Sequence, residues 1–255
     1  MLFVVLPAYN EQASLGNLLQ DLNSVLKEEP HLIIVVNDAS TDQTSVLAEK
    51  YARQFGDIRV LNHEENKGLG GALMTGFSYV LNSASVNFEE DILITLDADN
   101  THPADRIPLL LQKMKEGSDL AIASRYVTGG QQLGLSPFRK ILSWGAGRLM
   151  TLFFPIPGVK DYSCGYRAYR LLTLKKAYHN YGEQLMESRN FAAMVELLIK
   201  VVPFCQTIAE VPLILHYERK QGKSKMKIGS TIKGYFTLIY RFKKGAWSSV
   251  EWVEE

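Results

Sequence analysis

The sequence predicts an α/β protein whose mostly parallel sheet is covered by helices on both faces. Apolar runs rich in Val, Ile and Leu alternate with segments of helical periodicity over roughly the first 130 residues. The runs are continuously apolar, which is typical of strands that are buried on both faces. With 255 residues and 46% hydrophobic residues, the chain can form one large domain with a sizeable core.

The first two strand–helix pairs are the clearest. A strand is predicted at 2–10, where an apolar run ends in a polar turn, and the helix after it covers 11–28, with leucines at helical spacing. A second buried strand covers 31–38, and a capped helix begins at Thr41. The remaining elements follow the same order: strand 58–63, helix 68–81, strand 91–99, a helix from Pro103 and strand 119–126.

Composition and charge exclude several classes of function. The net charge of +1 gives no reason to expect nucleic-acid binding. The two cysteines, Cys164 and Cys205, form no CxxC pair, which argues against a zinc site and favours a reducing compartment such as the cytoplasm. We expect no secretory leader, since "MLFVVLPAYN" (1–10) has no basic n-region and no cleavage site, and no apolar stretch reaches the roughly 18 residues that a membrane-spanning helix needs.

Polar residues follow the carboxyl ends of the predicted strands, where ligands bind in open α/β sheets. The segments are Pro7–Glu11, Asn37–Asp42, Asn66–Gly71, Asp97–Asp99 and Ser124–Tyr126. Any one of them has a simple structural explanation, such as a helix N-cap at Asp38 or a turn cap at Asp42. Their repetition along one edge of the sheet predicts a binding site there.

The fourth strand raises the sharpest question, because "DILITLDADNTHP" (91–103) ends on two carboxylates. Strand alternation would point Asp97 and Asp99 to the same face. Like charges so close repel each other, so a positive group should lie nearby. Mg²⁺ and Mn²⁺ prefer oxygen ligands and usually accept one or two protein carboxylates.

Four motifs in order resemble those of the family 2 glycosyltransferases of the GT-A, Rossmann-like fold. They are "LPAYNE" (6–11), "VNDASTD" (36–42), "NKGLGGAL" (66–73) and "LDADNTHP" (96–103). Many family members have two aspartates where this chain has Asn37-Asp38. The glycines at 68, 70 and 71 lack the spacing of a dinucleotide fingerprint and are interpreted as a close backbone approach at a helix start.

The resemblance implies a nucleotide-sugar donor, either a GDP- or a UDP-hexose, and a divalent ion, Mg²⁺ or Mn²⁺. It makes Asp99 the main metal ligand and Asp97 a contact to ribose or metal, and it leaves the third ligand open because Thr101 stands where related enzymes have glutamine. The donor-binding residues that it implies are Pro7, Tyr9, Glu11, Asp38, Asp42, Lys67, Gly68, Asp97 and Ala98.

The second half resembles the dolichyl- or polyprenyl-phosphate mannose and glucose synthase branch, through "SRYVTGG" (124–130), "VKDYSCGYRAYR" (159–170) and "AEVPLILHYERKQGKSKMK" (209–227) among others. This implies transfer of a hexose, mannose before glucose, to a polyprenyl phosphate with inversion. Because such an acceptor is already an anion, cations are needed rather than a base. The candidate cations are Arg125, Arg139, Arg219, Lys223 and Lys225, with Ser143 one helical turn beyond Arg139.

Two other functions stay open. A family 2 enzyme that acts on a hydroxyl acceptor would need a carboxylate base, for which Asp161 or Glu196 is available, although the chain lacks the Q-x-x-R-W motif of processive synthases. A catalytically silent binding protein of this fold is the third alternative, against which the intact DAD triplet and the cations argue.

Two segments combine apolar, aromatic and basic residues in the manner of helices at a membrane interface: 138–158 and 231–247. Packing on the protein's own core is an equally good explanation. We expect a catalytic domain over 1–228 and an amphipathic extension over 229–255, with peripheral attachment to the cytoplasmic face of a membrane. The sequence gives no expectation for the oligomeric state.

Overall fold

The structure is a computed structural model that describes residues 1–220 and 228–245. Its main sheet has seven strands in the order β3-β2-β1-β4-β7-β5-β8, and all are parallel except β7. The strands are β1 (Leu2–Ala8), β2 (His31–Asn37), β3 (Ile58–Asn62), β4 (Ile92–Thr95), β5 (Leu120–Ser124), β6 (Gln131–Leu133), β7 (Arg167–Arg170), β8 (Ile208–Pro212) and β9 (Ile214–His216). Strands β6 and β9 form a separate parallel pair.

The described helices connect and cover these strands. They are α1 (Leu15–Val25), α2 (Thr44–Phe55), α3 (Gly68–Leu81), α4 (Ile107–Lys115), α5 (Pro137–Phe153), α6 (Leu171–Tyr181), α7 (Ala192–Val201) and α8 (Ile228–Lys243). The predicted mostly parallel α/β sheet is therefore confirmed, with its first five strands within a few residues of the predicted positions.

The core explains the continuous apolar runs. The central strands β1 and β2 are buried almost throughout, and leucines on one face of α1 pack against the sheet. Burying each such side chain contributes roughly 1.5–3 kcal/mol. Packing of both faces therefore selects continuous Val, Ile and Leu runs over alternating ones.

The sequence shows less clearly how the second half completes the sheet. Strand β7 lies antiparallel between β4 and β5. Strands β4 and β5 are therefore not adjacent in the sheet, although they follow each other in the chain. Helix α5 covers most of the predicted interfacial segment and ends before Phe154. The predicted extension is helical over 228–243 and packs against α5 and α7, with Tyr235, Leu238 and Ile239 buried. No described helix is long and apolar enough to cross a membrane.

Candidate active site

A cavity of about 420 Å³ lies at the carboxyl ends of β1, β2 and β4, and we call it the first cavity. It brings together most of the predicted donor-binding residues, together with the predicted metal ligand Asp99: Pro7, Tyr9, Glu11, Asp38, Gly68, Asp97 and Ala98. These residues come from four separate stretches of the sequence. They lie together because the carboxyl ends of the parallel strands meet at one edge of the sheet.

Three residues in left-handed backbone conformation turn the chain sharply at this edge. Asn10, Ala39 and Asn100 follow β1, β2 and β4 with φ angles of 53°, 55° and 59°. Such angles are uncommon outside glycine, and for an alanine they indicate strain at a functional rim. These turns direct the polar segments across the ends of the strands.

Asp38 is buried and holds the loop that begins α3. Its carboxylate accepts hydrogen bonds from the backbone N–H of Lys67 at 2.7 Å and of Gly68 at 2.9 Å. His63 contacts it through Nδ1 at 2.7 Å and reaches Thr75 Oγ1 at 2.9 Å through Nε2. Sequence reasoning missed His63, although its place at the end of the third predicted strand was a usable signal.

The contact of Lys67 with Asp38 is made by its backbone, because its side chain is exposed and does not line the first cavity. Asp42 does not line the first cavity either. Its carboxylate accepts from Thr44 N at 2.9 Å at the start of α2 and from Gln12 N at 3.3 Å. The roles of both residues in donor binding therefore stay predictions, and Asp42 has the capping role that was its simpler explanation.

The glycine-rich turn is a close backbone approach, as predicted. A Cβ on Gly68, whose φ is +78°, would lie 2.2 Å from the carbonyl oxygen of Arg189, and one on Gly70 would lie 2.1 Å from that of Ser188. Both distances are impossible for a real side chain, so only glycine allows segment 188–191 to approach α3 this closely. Leu69 N donates to Arg189 O at 2.8 Å. Sequence reasoning did not identify this segment, which belongs to no motif.

Asp97 and Asp99 meet in the cavity for a different reason than strand alternation. Strand β4 ends at Thr95, so both aspartates lie beyond it and Asp99 is in a turn. The predicted strand to residue 99 was therefore too long. The turn residue Thr101 donates to Asp99 Oδ1 through its hydroxyl at 2.7 Å and its N–H at 3.1 Å. Its hydroxyl thus orients a carboxylate.

The two carboxylates have opposite electrostatic environments. Burial raises the pKa of Asp97, and the neighbouring charge of Asp99 adds to this while His102 opposes it. Burial also acts on Asp99, but Lys220 attracts and hydrogen-bonds its carboxylate strongly enough to bring the pKa of Asp99 below its usual value. The positive group expected beside the DAD triplet is thus Lys220, which forms an ion pair with Asp99 Oδ2.

This donor set fits a divalent ion bound together with a diphosphate. The hard carboxylates of Asp97 and Asp99 both line the cavity, and the Lys220 ammonium shows that a cation is accommodated at Asp99. Among the described residues, no three His, Cys, Asp or Glu side chains form a cluster that would hold a metal by themselves. Phosphate oxygens and water would then complete the coordination, as is usual for Mg²⁺.

A second cavity, of about 500 Å³, adjoins the first and shares Asp97, Asp99 and Lys220 with it. Its outer walls are α5 and α8, which supply apolar side chains: Ile141, Leu142, Leu149, Ile232, Tyr235 and Phe236. Among the residues that the structure describes, the arginines and lysines that line it are Arg125, Arg139 and Lys220. It therefore combines an apolar channel with positive charge beside the two aspartates.

Arg125 is held by a fully buried partner. Its Nε and Nη2 donate to the two oxygens of Asp161 at 2.7 and 2.6 Å, and Nη2 also donates to Ser163 Oγ at 2.8 Å. Burial would raise the pKa of Asp161, but Arg125 more than offsets this and the pKa lies below its ordinary value. The guanidinium is therefore rigidly placed, with its charge partly balanced.

Arg139 and Ser143 lie on α5 and both line the second cavity, as their helical spacing suggested. Arg139 Nη1 donates to Tyr217 Oη at 2.6 Å, and Ser143 Oγ is 2.8 Å from Tyr126 Oη. Arg219 is placed elsewhere: it lines a separate surface depression with Asp21 and Glu218 and neither of the two cavities. The acceptor role of Arg219 thus lacks geometric support here, and Lys220 occupies the place expected for it.

Lys223 and Lys225 lie outside the described residues, so their predicted roles stay predictions. The two candidate bases are described and do not line either cavity. Asp161 is engaged by Arg125, and Glu196 is fully buried, paired with Lys200 at 2.6 Å and accepting from Ser188 N at 2.8 Å. Each carboxylate is held in a buried ion pair and lines neither cavity, so neither is placed to take a proton from a hydroxyl acceptor there.

Comparison with known proteins gives a consistent result. Residues 3–176 match the model of the family described as Glycosyl transferase family 2. An undecaprenyl-phosphate mannosyltransferase of Micrococcus luteus is 34% identical over 225 residues, which cover 88% of this chain and 87% of that protein. A dolichol-phosphate mannosyltransferase of Pyrococcus furiosus is 33% identical over 242 residues, which cover 94% of this chain and 63% of that protein.

A solved structure is similar in fold. It is glucosyl-3-phosphoglycerate synthase from Mycobacterium tuberculosis in complex with Mn²⁺, UDP and glucosyl-3-phosphoglycerate. The TM-score is 0.67 with 20% sequence identity, covering 94% of this chain and 79% of that one. At this identity the similarity shows that the two chains share a fold.

Proposed function

Since the chain belongs to glycosyl transferase family 2, we propose that it moves a hexose from a nucleotide sugar to a polyprenyl phosphate with inversion. Mannose is the favoured sugar and glucose the next, because the two relatives described above are named mannosyltransferases. The donor is a GDP- or UDP-hexose, and the first cavity is its binding site.

One observation carries this proposal. The two aspartates lie where the first cavity meets the second, and the second, which is walled by apolar side chains of α5 and α8, contains Arg125 and Arg139 but neither of the two candidate bases, Asp161 and Glu196. A lipid phosphate needs an apolar channel and positive charge, whereas a hydroxyl acceptor needs a base to remove its proton. The arrangement supports the phosphate acceptor over its alternative.

The chain's own residues have distinct tasks in this scheme. Asp99 and Asp97 would hold a divalent ion, Mg²⁺ or Mn²⁺, which supplies positive charge to the diphosphate as it leaves. The loop held by Asp38 places Gly68, which lines the first cavity, beside the nucleotide. Arg139 and Ser143 hold the acceptor phosphate in the second cavity, and the fork of the arginine suits phosphate oxygens. Arg125 borders the same cavity.

We further propose that α5 and α8 rest on a membrane surface, which for this function is the cytoplasmic face. Both helices expose large apolar side chains: Ile141, Ile232 and Phe236 border the second cavity, and the others are Phe138, Trp144, Leu152 and Tyr240. Basic residues lie beside them, with Arg148 over the Trp144 ring and Lys244 over the Tyr240 ring. Such a face matches an interfacial helix pair and would let a lipid enter the cavity from the bilayer.

The deciding experiment measures transfer of radiolabelled sugar into an organic phase. The protein is incubated with Mn²⁺ or Mg²⁺, a short polyprenyl phosphate and a panel of GDP- and UDP-hexoses. We expect label in the lipid fraction from one donor, loss of transfer with chelator, and loss in Asp99→Asn with an unchanged unfolding curve. Transfer that persists in chelator or in Asp99→Asn would contradict the metal role, and transfer to free alcohols but not to lipid phosphate would contradict the acceptor.

A further inference from the structure

Lys220 lies at a distinctive place in the molecule. Among the described lysines, it is the one that lines both cavities. Its ammonium pairs with Asp99, and only 11% of the Lys220 side chain and 9% of the Asp99 side chain are exposed. The other described cation of the first cavity, Arg189, points its guanidinium at the backbone carbonyls of Asn66 and Lys67. Lys220 is thus the cation directed at the reacting region from the donor side.

We propose that the Lys220 ammonium is an internal counter-ion that holds Asp99 when no divalent ion is bound, and that it binds phosphate oxygens where the cavities meet once the ion has taken Asp99. This inference rests on the proposed function for its second half. Its first half depends only on the two aspartates and Lys220.

The need for a counter-ion follows from the two carboxylates. Asp99 is buried and Asp97 is half-buried, and the charge of Asp99 disfavours the charge of Asp97. The Lys220 ammonium opposes this repulsion, because its charge favours the ionised form of both carboxylates. It also keeps the Asp99 carboxylate turned toward Lys220 through Oδ2, while Oδ1 is held by Thr101.

A divalent ion and the ammonium cannot share Asp99 at short range. Two cations a few ångströms apart repel strongly in a partly dehydrated site, so the ion must displace Lys220 before Asp99 can bind it fully. Lysine suits such an exchange because its charge is compact and its four-carbon stem turns about several bonds. An arginine fork in the same place would be harder to displace.

Phosphate oxygens are the natural second partner of the displaced ammonium. Diphosphate on the donor side and the acceptor phosphate on the other side both place anionic oxygens near the point where the cavities join, and Lys220 lines both cavities. A lysine binds phosphate as a point charge without a fixed geometry. Lys220 would therefore weaken the binding of a divalent ion in the absence of substrates, and would strengthen the complex that contains the ion, the donor and the acceptor.

The test measures metal and nucleotide binding separately in Lys220→Met. Calorimetric titration with Mn²⁺ alone should show binding about tenfold tighter than in the wild type, equivalent to about 1.4 kcal/mol. At saturating Mn²⁺, the same variant should bind GDP or UDP several-fold more weakly and transfer sugar more slowly. Effects of opposite sign on the two ligands are not expected from a residue that only supports the fold.

Two other variants complete the experiment. Lys220→Arg keeps the charge and should bind Mn²⁺ no more tightly than the wild type, while Lys115→Met removes an exposed lysine from α4 and should change neither affinity. Lys220→Gln replaces Lys220→Met if urea unfolding shows that the latter does not fold.

Each result decides one half of the inference. Unchanged or weaker Mn²⁺ binding in Lys220→Met overturns the counter-ion, and unchanged nucleotide affinity at saturating Mn²⁺ overturns the phosphate contact. Both binding measurements are independent of the acceptor. If the wild type transfers no sugar to lipid phosphate, the proposed function fails. The Mn²⁺ titration still decides whether Lys220 competes with the metal for Asp99.

Discussion

Replacing Asp161 by asparagine should destabilise the protein through the loss of one buried charge. Asp161 is fully buried and accepts four hydrogen bonds, three from Arg125 and one from Cys164 N. Asparagine has nearly the same shape, so the change creates no cavity. It replaces an acceptor by a donor facing the guanidinium and leaves the Arg125 charge, with 11% of its side chain exposed, without its partner.

The expected cost is large because one partner of a buried pair is removed while the other stays. Breaking such pairs typically costs about 3–5 kcal/mol. For a domain of this size, 1 kcal/mol corresponds to about 2–4 °C in Tm, so we expect a decrease of about 6–20 °C. The matched control is Asp105→Asn, since Asp105 pairs with Arg106 but is 63% exposed. Its loss should cost at most about 1 kcal/mol.

The pH dependence supplies an independent check. Because the pKa of Asp161 is lowered in the folded state, its charge stabilises the fold above the unfolded pKa of about 3.9 and this contribution is lost as pH falls through the folded value. The difference in unfolding free energy between wild type and Asp161→Asn should be constant from about pH 5 to 8 and shrink below about pH 4.

Urea unfolding followed by circular dichroism at several pH values measures both quantities. A cost below about 1 kcal/mol at pH 7, or a difference that does not shrink in acid, would refute the buried ion pair as described. The same variant also addresses the alternative function. If Asp161 were a catalytic base, the variant would lose the ionisation from its activity–pH profile, and on our reasoning it does not.

Three further outcomes are expected. Arg139→Ala should slow transfer strongly and raise the KM for polyprenyl phosphate while calorimetric binding of GDP or UDP stays near normal, and Arg139→Lys should restore little because the fork is lost; equal loss of nucleotide binding would contradict the acceptor role. Asp38→Ala should weaken nucleotide binding by about 1–3 kcal/mol, since it strands the N–H groups of the loop before α3, and an unchanged Kd would remove Asp38 from the site. Leu152→Asp and Phe236→Asp should reduce co-flotation with anionic vesicles, whereas Val46→Asp, at an equally exposed apolar position on α2, should not; equal binding by all three would exclude the α5–α8 face as the membrane contact.

The first half of the fold was readable from the sequence because its rules are local. Continuous apolar runs identified the first four parallel strands, and helix α3 matches its predicted bounds of 68–81. The end of β4 was misplaced because Asp97 and Asp99 suit a strand edge by pattern, whereas the left-handed Asn100 and the Thr101 contacts fold this stretch into a turn. No local pattern distinguishes these two possibilities.

The site divides in the same way. Residue types and their order identified Asp38, Asp97 and Asp99 as the polar centre, since parallel strands must bring their carboxyl ends to one edge. The glycines at 68 and 70 were correctly interpreted as a close approach, but the segment that approaches, 188–189, was invisible because it is more than a hundred residues away in the chain.

Which charges face the site was decided by tertiary structure alone. The sequence determined that several cations and two aspartates would be available, because composition and motif order are properties of the chain. It did not distinguish Lys220 from its neighbour Arg219, which differ by one position and lie on different surfaces. It also did not show that Asp161 and Glu196 would be neutralised by Arg125 and Lys200, because the partner of a buried charge is selected by packing in three dimensions.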